Sequence, residues 1–145
     1  MNTSRSLNRP GILGTVAAAI ACAVISTAAF GDQVKVTLSG STEVPPVKTM
    51  ASGSGTVTIN PDMSVSGGVT TMGLNGTMAH IHIGAAGKNG PVAIPLTRNG
   101  DNGWSVPAGT KLTDAQYQAY KAGELYVNVH SAENKGGEIR GQLMP

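Results

Sequence analysis

Short runs rich in Val, Ile and Thr, separated by Gly, Pro, Asn and Asp, recur along the chain from residue 33 to its end. Residues of the first group favour extended strands, whereas those of the second group end strands and form tight turns. Runs of this length and spacing predict many short antiparallel strands. The clearest candidates are residues 33–39, 55–59, 64–74, 78–83, 92–96, 124–131 and 138–143.

Turn signals separate these runs. Residues 60–62, Asn-Pro-Asp, predict a tight turn, because proline presets one turn dihedral while asparagine and aspartate hydrogen-bond to nearby backbone. Gly67 and Gly68 interrupt one run, and adjacent glycines inside a strand pattern indicate a bulge or two shorter strands. Residues 84–90, which include three glycines, are expected to form a flexible loop after one of the strands.

One short helix is predicted after residue 112. Thr113 and Gln116 have the spacing of a capping box, in which each side chain accepts a hydrogen bond from the other residue's backbone N–H. Leu112 and Tyr117 occupy the positions of a hydrophobic staple, and Gly123 stands where a left-handed residue ends a helix. About seven strands with one helix predict an all-β fold, either an antiparallel Greek-key sandwich or a flattened barrel with one short helix.

The first thirty residues differ in character from the rest. Two arginines precede an apolar stretch over residues 11–30, which is the order found in secretory signal peptides. We therefore expect residues 1–31 to be a signal peptide and residues 32–145 to form one β domain, in the periplasm or secreted. Two alternatives stay open, an uncleaved apolar anchor and a lipoprotein modified at Cys22.

The charge balance excludes one class of partner. The chain has ten basic and eight acidic residues, and two of the basic ones, Arg5 and Arg9, lie in the predicted signal peptide. Residues 32–145 are therefore neutral overall, and their aromatic residues are one tryptophan and three tyrosines. Nucleic-acid binding needs a basic surface and often aromatic side chains for stacking, so no nucleic-acid partner is expected. No membrane contact is expected after signal cleavage.

All three histidines of the chain fall in two strand-like runs. Because side chains alternate along a strand, His80 and His82 share one face of their run while Ile81 takes the other. His130 ends a later run, and adjacent placement of the two strands would bring three imidazoles together. The pattern predicts a metal site formed by His80, His82 and His130. The alternative is that the first two line a polar seam, hydrogen-bonded to backbone, with His130 elsewhere.

The available ligand atoms limit the choice of metal. Cys22 is the only cysteine, so residues 32–145 offer no thiolate. Neutral imidazoles suit copper, zinc, nickel and non-haem iron, and copper binds most tightly among the common divalent ions. Met78 shares the face of His80 and His82 by the same alternation and is a possible additional ligand, since a thioether suits Cu(I). We expect copper, with zinc held by three histidines as the alternative.

Six segments of the chain resemble the CHRD domain, a module named after chordin. The family occurs in an extracellular antagonist of growth factors and also alone in exported bacterial proteins. The resemblance covers nearly all of residues 32–145 and implies an extracytoplasmic, mostly β module. The segments are Leu-Ser-Gly at 38–40, Glu-Val-Pro-Pro at 43–46, Ala-His-Ile-His at 79–82, Gly-Pro-Val at 90–92, Gly-Glu-Leu-Tyr-Val-Asn-Val-His at 123–130 and Gly-Gly-Glu-Ile-Arg-Gly-Gln-Leu at 136–143.

A weaker, partial similarity is to copper-zinc superoxide dismutase, another exported Greek-key sandwich. In that family a His-x-His strand is followed by a glycine-containing loop, and a later strand supplies a further imidazole. His80, His82 and His130 match this pattern in part. The chain has no fourth histidine for copper, and its loop lacks the zinc ligands, so the similarity does not imply dismutase activity.

Three functions are consistent with these patterns. The favoured one is an exported metal-binding protein that acts in copper storage, delivery or protection. The second is an extracellular interaction or adhesion module that binds a protein partner without chemistry. The third, a small copper or zinc enzyme, is less favoured because candidate acid–base residues are few: Glu43, Glu133, Glu138 and Tyr126. Arg140 is expected to form an ion pair with Glu43 or Glu138.

Overall fold

A computed structural model of the protein describes residue 1 and residues 30–145. Most of the predicted signal peptide, including Cys22, lies outside the described residues. The described part forms nine strands and one α-helix. They are β1 (Asp32–Ser39), β2 (Ser52–Ile59), β3 (Val65–Met72), β4 (Gly76–Ile83), β5 (Val92–Pro95), β6 (Thr97–Asn99), β7 (Gly103–Ser105), α1 (Asp114–Lys121), β8 (Leu125–Ser131) and β9 (Ile139–Leu143).

The nine strands make one antiparallel sheet in the order β5-β4-β8-β9-β1-β2-β3-β7-β6. The two edge strands, β5 and β6, are separated along the chain by Leu96 alone, so the polypeptide itself joins the two edges. The Leu96 N–H donates to the Ala79 carbonyl at 2.9 Å, and Arg98 donates to the Gly76 carbonyl. The sheet is therefore a nearly closed barrel. The predicted all-β class with one short helix is confirmed, in its barrel form.

Strand β8 is buried on both of its faces. Every one of its seven residues is buried, although a strand at a barrel wall normally has one exposed face. Its odd-numbered residues from 125 to 129 belong to the barrel core, while Tyr126, Asn128 and His130 are buried on the outside of the sheet. Loop residues cover this outer face: Glu43 accepts a hydrogen bond from Asn128, and Gly90 donates one to Tyr126. Strand β8 thus places three polar side chains in a buried layer between the outer face of the sheet and the loops that cover it.

The predicted helix is confirmed with its capping residues. Thr113 is the N-cap, its hydroxyl accepts from the Gln116 N–H, and the Gln116 side chain accepts from the Thr113 N–H. Gly123 has φ 72°, the left-handed conformation expected after the helix. Tyr120 is buried against the core, which fits the structural role expected for this helix.

Other predictions on the sheet need correction. Strand β2 begins three residues before the predicted 55–59, and β6 and β7 were not predicted, because three-residue strands carry too little alternation to be recognised. The predicted bulge or pair of shorter strands at Gly67 and Gly68 is wrong, since β3 is one strand that pairs with β2 without a register shift. A Cβ on Gly68 would lie 2.1 Å from the Trp104 carbonyl oxygen, so this glycine permits close approach of β7 instead.

Candidate metal centre

The three histidines lie together on the outer face of the barrel wall. Strands β4 and β8 are adjacent and antiparallel, with His80 opposite Asn128 and Met78 opposite His130. One ring nitrogen from each of His80, His82 and His130 lies within 4.8 Å of the other two. The convergence predicted from the sequence is therefore present, and the alternative that places His130 elsewhere is wrong.

Two backbone carbonyls fix the protonation of two of the rings. His82 Nδ1 lies 2.9 Å from the Gly90 carbonyl oxygen, and His130 Nδ1 lies 2.9 Å from the Lys135 carbonyl oxygen. A carbonyl only accepts hydrogen bonds, so both Nδ1 atoms carry the proton. In the neutral rings both Nε2 atoms then present lone pairs. Metal-ligating histidines usually donate their other ring N–H in this way.

The Nε2 atom of His82 is buried and has no hydrogen-bond partner among the described residues. Buried polar atoms are rarely left unpaired, and each exception needs an explanation such as an ion or a water molecule. The His82 ring belongs to the same cluster as the other two imidazoles. A metal ion would satisfy the Nε2 atom.

One ring nitrogen of His80 and one of His130 lie at nearly the distance that separates two ligands of one metal ion. His80 Nδ1 lies 3.0 Å from His130 Nε2, and His80 donates this hydrogen bond because the proton of His130 is on Nδ1. Two nitrogens bound tetrahedrally at about 2.0–2.1 Å lie about 3.3 Å apart. The ligand nitrogens of the whole cluster lie within 4.8 Å of one another, and two such ligands on one ion lie at most about 4.2 Å apart. Ion binding therefore requires at most a small inward rotation of a ring.

Burial favours the neutral form of all three imidazoles. It is the main cause that lowers the pKa of each histidine below the ordinary value of 6.5. For His80, positive charge on His130 and His82 lowers the pKa further, and for His130 the Arg140 guanidinium does so. Hydrogen bonds to the Gly90 and Lys135 carbonyls offset part of this for His82 and His130. Neutral imidazole is the form that binds a metal.

The lowered pKa values predict how the stability of the metal-free protein depends on pH. Below about pH 6.5 the unfolded chain binds protons more readily than the folded one, so the free energy of unfolding falls as the pH decreases. Urea unfolding at about pH 7.5 and about pH 5.5 measures this loss. A variant with all three histidines replaced by glutamine is expected to lose less stability over this range. An equal loss in both proteins would contradict the prediction. Because burial raises the pKa of Glu43, that group acts in the opposite direction in both proteins.

Met78 lies on the same side of β4 as the histidines, because side chains alternate along a strand and no register shift interrupts the pairing of residues 78–82 with β8. The residue is 51% exposed, and its backbone is directly opposite His130. It is thus available at the solvent side of the cluster. Its role as a ligand stays a prediction.

The residues that hold the cluster in place were only partly predicted. The expected Glu43–Arg140 ion pair is confirmed at 3.3 Å, with both side chains 3% exposed. Glu138 instead accepts a hydrogen bond from Thr49 at 2.7 Å, and Glu133 is exposed. The Gly90 and Lys135 carbonyls were not predicted, because every residue has a carbonyl and sequence gives no sign of where it points.

The loop over residues 84–90 is held more firmly than the sequence indicated. Besides the contacts of Gly90, the Arg140 side chain donates to the Lys88 carbonyl at 2.9 Å, and Asn89 donates to the Val44 carbonyl at 2.9 Å. Gln142 donates to the Gly84 carbonyl at 2.8 Å. The glycines gave a correct prediction of a loop, but polar side chains of β9 tie it to the sheet.

Comparison with known proteins identifies the family. Residues 34–143 match the family described as CHRD domain, which is most of the chain and all of the barrel except its first two residues. Searches of curated proteins and of solved structures found no match. CHRD domains are extracellular modules, and within the described residues no helix is both long enough and apolar enough to cross a bilayer. The resemblance inferred from sequence motifs is confirmed: the chain belongs to the CHRD domain family.

Proposed function

We propose that this protein is an exported metal-binding protein of the periplasm or cell exterior. It holds copper through His80, His82 and His130 and acts in copper storage, delivery or protection. The single observation that carries the proposal is the buried Nε2 atom of His82, which has no hydrogen-bond partner in the described part of the chain although its ring clusters with two further imidazoles. Buried polar side chains without a ligand are normally hydrogen-bonded, whereas a metal ligand keeps a lone pair free for the ion.

The supporting contacts match those of a preformed ligand set. His82 and His130 are oriented by carbonyls through Nδ1, which leaves Nε2 of each ring as the ligand atom. Burial lowers the pKa of all three rings, which favours the neutral form that binds a metal. The one donor that must rearrange is Nδ1 of His80, which gives up its hydrogen bond to His130.

The donor set favours copper, with zinc as the runner-up. Among the described residues the cluster consists of imidazoles, with no carboxylate, so calcium and magnesium do not fit. Copper exceeds zinc in affinity for nitrogen ligands. Met78 adds a thioether at the exposed side, which suits Cu(I) better than zinc.

The test is metal analysis of the purified protein, followed by titration with copper, zinc and iron under competition from chelators. We expect one copper ion per chain with higher affinity than zinc. Electron paramagnetic resonance of the Cu(II) form should show hyperfine coupling to imidazole nitrogen. The protein with all three histidines replaced by glutamine is the matched control. Equal copper binding by this control and the wild type would contradict the proposal, and a preference for another metal would reassign the cofactor.

The family match favours one alternative, an extracellular interaction module. The two proposals differ in the role of the histidines, which bind a metal only in the first. A protein partner that binds the triple-glutamine variant and the wild type equally, while neither protein binds metal, would favour the interaction module.

A further inference from the structure

Tyr126 lies between a proposed metal ligand and a buried cation. Its ring stacks on the His82 imidazole with centroids 5.0 Å apart and an interplanar angle of 5°. The Arg140 guanidinium carbon lies 4.0 Å from the centroid of the same ring. Imidazole, phenol and guanidinium therefore form a stack on the outer face of the barrel wall, and Tyr126 is only 2% exposed.

Hydrogen bonds through Gly90, in the loop after β4, also link the two stacked rings of His82 and Tyr126. His82 Nδ1 donates to the Gly90 carbonyl at 2.9 Å, and the Gly90 N–H donates to the Tyr126 hydroxyl at 3.1 Å. A single loop residue thus contacts both stacked rings, accepting from one and donating to the other. The Gly90 carbonyl sets the tautomer of His82, and the N–H of the same residue is bound by the Tyr126 hydroxyl.

The far end of the stack is fixed by buried polar contacts. Arg140 pairs with Glu43 at 3.3 Å and donates to the Lys88 carbonyl and the Asn89 side chain. Glu43 also accepts a hydrogen bond from Asn128. Buried ion pairs contribute little net stability relative to apolar residues, so their presence under a loop is better explained by geometry than by stability.

We propose that Tyr126 and Arg140 are positioning residues of the histidine cluster. Tyr126 fixes the ring plane and the tautomer of His82, so that Nε2 faces His80 and His130, and Arg140 holds Tyr126 in place from its other face. The inference rests on the proposed metal-binding function and deepens it. Outer contacts that orient a metal ligand commonly change affinity by about 10–100-fold when they are removed.

The test compares variants of two buried tyrosines. Tyr126→Leu removes both the stack and the hydroxyl, whereas Tyr126→Phe keeps the stack and removes only the acceptor for Gly90. Tyr120→Phe is the matched control, because Tyr120 is equally buried, at 1% exposed, but lies on the helix with its hydroxyl facing Asp32. We expect copper affinity to fall about 10–100-fold in Tyr126→Leu, by less in Tyr126→Phe, and to stay unchanged in Tyr120→Phe. The electron paramagnetic resonance spectrum of the Cu(II) form should change in the first two variants only.

A second measurement needs no metal. Nitrogen-15 chemical shifts of the histidine rings report the tautomer in the metal-free protein, and we expect His82 to be protonated at Nδ1 alone in the wild type and in Tyr120→Phe. In Tyr126→Leu a mixture of tautomers is expected. Unchanged tautomer in that variant, or unchanged copper affinity and spectrum, would overturn the positioning role. If the wild type binds no metal, the proposed function fails, and the tautomer measurement alone decides whether Tyr126 positions His82.

Discussion

Replacing Arg140 with methionine is expected to destabilise the domain by about 3–5 kcal/mol, because it leaves the Glu43 carboxylate buried without its partner. Both side chains are 3% exposed, so water cannot replace the lost contact. The loss is large beside the total stability of about 5–15 kcal/mol that is usual for a domain. Urea unfolding at a temperature where the variant stays folded measures it.

A double-mutant cycle separates two causes of the lost stability, the buried Glu43 charge without its partner and the lost packing of Arg140. Glu43→Gln together with Arg140→Met is expected to recover most of the stability, although the Lys88 carbonyl and the Asn89 side chain still lose their donor. Lys111→Met is the control: it removes the cation of an ion pair whose side chains are 61% and 62% exposed, and should leave the free energy of unfolding nearly unchanged. Equal losses in the free energy of unfolding of the single and the double variant would show that the unpaired Glu43 charge is not the cause, which would contradict the prediction.

The same variant should respond to pH in a predictable direction. Burial raises the pKa of Glu43 above its ordinary value, and Arg140 and Asn128 oppose this effect. Without Arg140 the pKa of Glu43 rises further, so the folded protein retains this proton to higher pH than the unfolded chain does. A raised carboxyl pKa contributes stability below the unfolded value, which is lost as the pH rises through the folded value. The difference in stability between wild type and Arg140→Met should therefore be smaller in acid than at neutral pH.

The parts of the site that follow from local geometry could be predicted from the sequence. His80 and His82 had to share a face because strand side chains alternate with period two. The capping residues of α1 were predictable for the same reason, since Thr113 and Gln116 interact within one turn of helix. Each of these predictions needs only a few neighbouring residues.

The contacts that complete the site depend on pairing between distant segments. His130 meets His80 across 50 residues of chain, and the sequence indicated this only through the small number of histidines. The stack of Tyr126 between His82 and Arg140 requires the order β4-β8-β9 in the sheet, which no local pattern specifies. The carbonyls of Gly90 and Lys135 are still less predictable, because a backbone acceptor has the same chemistry at every position.

Replacing any one of the three histidines with glutamine is expected to remove most of the stabilisation that copper gives the folded protein. At a free copper concentration of about 100 times the wild-type Kd, ligand binding raises the free energy of unfolding by about 2.7 kcal/mol. A ligand loss that weakens affinity about 100-fold leaves about 0.4 kcal/mol at the same copper concentration. Thermal unfolding in a copper buffer, with and without metal, measures this difference for His80→Gln, His82→Gln and His130→Gln.

Lys135→Ala is the control for this series, because Lys135 contacts His130 through its backbone carbonyl and the substitution keeps that carbonyl. Its copper-dependent stabilisation should equal that of the wild type. The three histidine variants should also resemble one another, since each leaves two imidazoles of one coordination sphere. If His130→Gln kept the wild-type stabilisation while the other two lost it, copper would bind to the β4 pair alone. The convergence of β4 and β8 would then serve packing and not metal binding.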